Sequence, residues 1–208
     1  MEDLDDLKPL RNMSEALKEL AATLDSPTAD VELAPFSRSC FLFLPLIRSW
    51  GIAFKFAELD FLGKVKDLAV ASKSIGTLQA MVDGDIEANT VRKDTSHTKN
   101  LLRLTRGLDM IRVFFEQLLA TEGNSIRDPA FKAYTQVFAP HHGWAVRKVV
   151  AAGTYALPTR AQMLKKLNED EASARAPMQS FVDASAPVIQ HIERLFHSRD
   201  LFHVLNYE

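Results

Sequence analysis

The stretch TKNLLRLTRGLDMIRVFFEQLLAT, residues 98–121, sets the period for the whole chain. Leu101, Leu104, Leu108, Ile111, Phe115 and Leu118 recur at spacings of three and four, the stripe of a helix that buries one face. Asp94, Thr95 and Ser96 supply start signals before it, and Gly123-Asn124 supplies stop chemistry after it. About 24 residues at ~1.5 Å each span roughly 36 Å, enough to cross a small domain. The same helix carries a second stripe, Lys99, Arg103 and Arg106 followed by Met110 and Phe114, cationic and then apolar. Two readings stay open for it: a solvated basic face, or a site for an amphiphile with an anionic head and an apolar tail.

Outward from this helix the helical period persists. Leu10, Met13, Leu17, Leu20 and Leu24 mark a first helix that Ser26-Pro27 stops. A second helical stretch covers about residues 36–72, kinked by Pro45 and Gly51, with Phe54, Ala57, Phe61, Val65 and Leu68 as its apolar stripe. Leu78, Met81, Val82, Asp85 and Ile86 mark a third. After the central helix, Asp128-Pro129 opens a short helix stopped by Pro140, and Trp144 to Leu157 forms another, stopped by Pro158. Thr159 caps a short one, and a last long helix from about Glu169 is bent by Pro177 and Pro187. No stretch alternates with period two and no hairpin dipeptide stands out. The pattern predicts one all-α domain, residues 1–208, of about eight helices.

Composition narrows the function. Of 208 residues, 47% are hydrophobic and 25% charged, ordinary for a soluble globular protein. The formal net charge of -2 leaves no global basic field for nucleic acid, so any anion site must be a local cluster. One cysteine, Cys40, excludes an intrachain disulfide and suits a cytoplasmic setting. Met1-Glu2-Asp3-Leu4-Asp5-Asp6 is no secretory leader, Leu205-Asn206-Tyr207-Glu208 is no lipidation box, and the apolar run Phe41–Ile47 is too short to span a bilayer. Membrane contact is therefore expected to be peripheral. No nucleophile elbow, phosphate loop, paired acid and base, or metal spacing is present, so neither an enzyme, a metal nor a cofactor is expected.

Three further constellations carry chemistry. Asp60 and Lys64 lie four apart, an ordinary helical ion pair or an acceptor beside a phosphate cation. His141-His142 lacks metal-ligand spacing, and either ring suits a hydrogen bond at a helix start. Trp144 with Phe138 around Pro140 forms an apolar tip suited to a membrane interface, and Arg147 and Lys148 beyond it favour anionic headgroups.

Taken together, Gly51-Ile52-Ala53-Phe54-Lys55-Phe56-Ala57-Glu58, Asp85-Ile86-Glu87-Ala88, His97-Thr98-Lys99-Asn100-Leu101-Leu102-Arg103, Arg106-Gly107-Leu108-Asp109-Met110, Val137-Phe138-Ala139-Pro140-His141-His142-Gly143-Trp144 and Tyr155-Ala156-Leu157-Pro158-Thr159-Arg160-Ala161 resemble the glycolipid transfer protein family. The likeness covers nearly the whole chain and is nearest to a plant branch that handles ceramide-1-phosphate. It implies a two-layer helical sandwich that holds one sphingolipid between its layers and moves it between membranes. Asp60 matches the acid that binds the ceramide amide, and His142 matches the partner of the amide carbonyl. Lys64, Lys99 and Arg103 match the cations of the phosphate-binding branch. The glycolipid branch places an asparagine at position 64 and a tryptophan on the central helix, and this chain has neither. A plant member has arginine at the position of Lys99; lysine keeps the charge there but loses the bidentate fork, with Arg106 the candidate to compensate. A monomer is expected. A ceramide-1-phosphate sensor acting through protein partners, a glycosphingolipid carrier and a ligand-free adaptor are the alternatives.

Overall fold

The computed structural model describes residues 8–24 and 29–205, and these carry eleven α-helices and no strand. They are α1 (Pro9–Ala22), α2 (Leu33–Phe41), α3 (Leu44–Ser49), α4 (Lys55–Ala71), α5 (Leu78–Glu87), α6 (His97–Ala120), α7 (Arg127–Val137), α8 (Trp144–Gly153), α9 (Arg160–Lys166), α10 (Glu171–Ser198) and α11 (Leu201–Leu205). The all-α class holds. The helix stop expected at Ser26-Pro27 and the motifs weighed at residues 1–6 and 206–208 lie outside the described residues.

The count exceeds eight because the second stretch breaks into three helices. Pro45 occupies the first turn of α3, where its missing N–H costs nothing, so the chain restarts rather than kinks. Gly51 turns the chain with φ 97°, a conformation open to glycine, before a 3-10 turn at Ile52–Phe54 leads into α4. α8 also stops short of Leu157, giving way to a 3-10 turn at Thr154–Ala156. Helix starts follow the expected chemistry. Ser96 Oγ accepts from Lys99 N at 3.2 Å, Thr159 forms a capping box with Gln162, and Asp170 forms one with Ser173. α10 runs through Pro177 and Pro187 unbroken.

The helices pack in two layers. α2, α4, α6 and α7 lie in sequence side by side, and α1 and α10 pair in the other layer. The layers meet where α10 crosses α6 and where α1 touches α2 and α3. Between them runs a chain of aromatic rings. Phe115 meets Phe181 edge-on at 5.1 Å, Phe181 meets Phe43 at 5.7 Å, and Phe43 meets Phe61 at 6.3 Å. Phe114 extends it to Trp50 at 5.7 Å.

Two devices fix α6. At its end, buried Arg160 donates to the carbonyls of Leu118 (2.8 Å) and Thr121 (3.0 Å) and pairs with Glu171, closing backbone acceptors that a helix terminus leaves open. At its start, buried Asp85 of α5 accepts from Thr98 N, Thr98 Oγ1 and Ser96 Oγ within 2.9 Å. Midway, Gly107 admits α4: a Cβ there would stand 3.1 Å from the Phe61 ring.

Candidate functional site

The seam between α4 and α6 collects the expected head-group residues. Asp60 and Lys64 stand one turn apart on α4, and the Lys64 ammonium is paired with the Asp60 carboxylate. Lys64 is 8% exposed and Lys99 4%, so neither lysine belongs to a solvated face. A buried ammonium needs compensation. Lys64 has Asp60, and Lys99 has Asp94 at 3.7 Å, reached from the loop before α6. Arg103 follows one turn along and is exposed. The apolar half of the stripe turns inward too: Met110 is partly buried and Phe114 fully so, within the aromatic chain. The stripe thus passes from a buried lysine and an exposed arginine to the protein interior.

Arg106 points to the other side of α6. It lines a cleft of about 230 Å³ between α6, α7, α10 and α11, floored by Ile192 and Phe196 and rimmed by Asp109, His141 and Glu193. Burial, with the neighbouring Arg103 charge, lowers its pKa to about 10. Its charge also reaches both histidines. Burial first, then Arg106 and Arg147, hold His142 below the usual imidazole value, so the ring is neutral near pH 7. His142 stacks on Phe138 at 5.6 Å and meets Tyr134 Oη at 3.0 Å through Nδ1. A neutral ring that accepts the Tyr134 proton there carries its own proton on Nε2 and presents it as a donor.

Trp144, Arg147 and Lys148, the residues expected at a membrane, lie on α8, none of whose residues is buried. Trp144 is 75% exposed, with Lys148 Nζ 5.9 Å from its ring. Arg147 is partly committed to structure, since its Nε donates to the His142 carbonyl at 2.7 Å. The apolar surface is wider than the sequence suggested. Val146 and Val149 of α8 and Tyr155 just beyond it are exposed as well, and Ile52, Phe56 and Leu59 are exposed at the start of α4. Phe54 joins the two groups, its ring tip 3.7 Å from where a Cβ on Gly153 would stand.

Sequence reasoning did not find the partners that fix these side chains. Asp85 was legible only as a helix position, and Asp67 and Tyr134 carried no signal. Ile52, Phe56 and Leu59 lay in a stretch already read as helix, and their spacing of three and four matches an exposed apolar face as well as a core one.

The sequence profile of the family described as Glycolipid transfer protein (GLTP) matches residues 31–169. The protein Accelerated cell death 11 of Arabidopsis thaliana is 56% identical over 202 residues, 97% of this chain and 98% of its own. The crystal structure of the D60N mutant of Arabidopsis ACD11 complexed with C12 ceramide-1-phosphate superimposes with a TM-score of 0.91 at 57% identity, covering 93% of this chain and 96% of that one. The human ceramide-1-phosphate transfer protein in complex with 12:0 ceramide-1-phosphate shares the fold, with a TM-score of 0.78 at 23% identity over 92% of this chain and 98% of its own. The α4–α6 seam, the layered helices around it and these likenesses agree, and the chain belongs to the glycolipid transfer protein family.

Proposed function

We propose that this protein binds ceramide-1-phosphate and carries it between membranes. The observation that carries the reading is the pair of buried lysines, Lys64 on α4 and Lys99 on α6, carried by two helices that pack side by side. Its support is the 56% identity to a protein whose mutants have been crystallised with ceramide-1-phosphate.

Lys64, Lys99 and Arg103 would hold the phosphate, which carries about -1.5 to -2 charge near neutral pH. Asp60 accepts the amide N–H, and His142 donates from Nε2 to the amide carbonyl. A glycerol-based phosphate has no such amide, so this pair selects a sphingolipid. One tail of about 16 carbons represents roughly 12 kcal/mol of transfer free energy, which the facing Phe, Leu and Met side chains must match as the layers part. The exposed Trp144 side chain meets the bilayer during uptake and release, with the exposed apolar side chains Val149, Ile52 and Phe56 adding to the contact and Lys148 and Arg147 towards anionic headgroups. No bond is made or broken. The protein acts as a single-domain monomer in the cytoplasm and meets membranes from their surface.

The test is transfer of fluorescent ceramide-1-phosphate between vesicles, beside galactosylceramide and phosphatidic acid. Ceramide-1-phosphate alone is expected to move at a catalytic rate. Arg103→Leu removes charge-assisted hydrogen bonds worth about 1.5–3 kcal/mol and should slow transfer roughly tenfold or more. Asp60→Asn should slow rather than abolish it, since the corresponding mutant of the relative still holds the lipid. Wild-type rates for both variants would refute the site assignment, and preferred movement of galactosylceramide would refute the phosphate reading.

A further inference from the structure

α4 and α6 run antiparallel along the seam: Phe61 of α4 meets Gly107 of α6, while Asp67, nearly two turns on, meets His97 and Asn100 near the start of α6. Lys64 lies midway between Phe61 and Asp67, and that register sets it opposite Arg103. Lys64 and Arg103 therefore occupy a segment of seam closed at both ends, and Lys99 sits at one of those ends. At one end the helices touch through a glycine. At the other a single carboxylate oxygen, Asp67 Oδ2, receives both His97 Nδ1 and Asn100 Nδ2 at 2.8 Å. The two donors flank Lys99 in the chain.

We propose that Asp67 is a positioning residue for the head group: bridging α4 to His97 and Asn100, it sets the width of the seam so that Lys64, Lys99 and Arg103 converge on one phosphate. The inference rests on the reading above and deepens it, because it assigns head-group selectivity to a side chain that need not touch the lipid. Charge alone argues the opposite role. Asp67 stands one turn from Lys64, and a bare carboxylate there repels a phosphate. A negative group beside an anion site is explained when it holds geometry that the site needs.

The two roles differ in sign. Asp67→Asn removes the charge but keeps a carbonyl oxygen able to accept from both donors. Asp67→Ala removes charge and bridge together. His97→Asn keeps an N–H near the Nδ1 position. The full-length chain is titrated with phosphatidylcholine vesicles holding fluorescent ceramide-1-phosphate, and separately with vesicles holding fluorescent ceramide, which has the amide and tails but no phosphate.

Asp67→Ala is expected to weaken ceramide-1-phosphate uptake at least tenfold and to leave ceramide uptake within threefold of wild type. Asp67→Asn and His97→Asn are expected to stay within threefold of wild type for both lipids. Wild-type or tighter ceramide-1-phosphate uptake by Asp67→Ala overturns the proposal. So does an equal loss in Asp67→Ala and Asp67→Asn, which would make charge the operative property. A parallel loss of ceramide uptake overturns it as well, since that marks general loss of structure. Failure of the wild type to take up ceramide-1-phosphate over ceramide overturns the function proposed above, and the inference falls with it.

Discussion

Replacing Asp85 by Asn tests whether a buried carboxylate on α5 holds the start of α6. In the wild type Oδ2 accepts from Thr98 N (2.8 Å), Thr98 Oγ1 (2.8 Å) and Ser96 Oγ (2.9 Å), and Oδ1 accepts from Thr90 Oγ1 (2.8 Å). An asparagine fits the same space. Its carbonyl takes the place of Oδ2 and its amide faces the Thr90 hydroxyl, whose proton already has the main-chain carbonyl of residue 85 at 3.2 Å. What changes is charge: three charge-assisted bonds become neutral ones, each weaker by about 1 kcal/mol. Relief from burying the charge offsets part of this, leaving a net loss of about 2 kcal/mol. For a chain of this length that lowers Tm by roughly 4–8 °C. The pH dependence follows from the same contacts. Burial raises the Asp85 pKa, and the hydrogen bonds from Thr98, Thr90 and Ser96 outweigh it, so the carboxyl lies below its ordinary 3.8. A depressed acid stabilises the fold above its unfolded value and loses that contribution as pH falls through the folded one. Thermal unfolding followed by circular dichroism at pH 7 and near pH 3 should therefore show a gap between wild type and Asp85→Asn that narrows in acid. A Tm within 1 °C of wild type at pH 7, or the same gap at both pH values, would refute the argument.

Arg160→Met strips two carbonyls at the end of α6 of their donor; it should cost about 2–4 kcal/mol, read as a lower urea midpoint at unchanged slope. Trp144→Ala and Ile52→Glu should each weaken sedimentation with anionic vesicles while Tm stays within about 1 °C, because both side chains are exposed; full vesicle binding by both variants would remove this face from the mechanism. The His142 ring should titrate by NMR below its ordinary 6.5. Its depressed pKa means that the unfolded chain takes the proton first, so this residue's contribution to stability declines as pH drops from about 6.5 through the folded value; a midpoint at or above 6.5 would contradict the burial of the ring.

The fold class was legible because one period ran through the whole chain, and the central helix came out within a residue at either end. The break of residues 36–72 into three helices was not, since Pro45 suits a first helical turn as well as a kink, and only the positive φ at Gly51 separates the two. The site was legible in part. Lys99 and Arg103 stood out by their shared stripe and Lys64 by its place one turn after Asp60, with the resemblance supplying their role, but the burial of the two lysines did not show, because it depends on how the helices pack. Asp67 was invisible for the same reason: a carboxylate one turn after a lysine reads as a local ion pair until another helix brings His97 and Asn100 to it. Arg106 shared the sector of Lys99 and Arg103 on a helical projection, yet it sits near the sector's edge and turns to the opposite cleft.

The aromatic chain between the layers bears on which way cargo flows. Phe43, Phe115 and Phe181 already satisfy one another edge to face. Withdrawal of a lipid tail thus exchanges tail-to-ring contacts for ring-to-ring ones rather than exposing a wet hollow. Each such ring pair is worth about 0.5–1.5 kcal/mol, which offsets part of the cost of giving up a tail. Such a protein cannot concentrate its lipid against a gradient. In the proposed role it would relax differences in ceramide-1-phosphate between membranes, and the direction of net traffic would belong to whatever makes and consumes the lipid at either end.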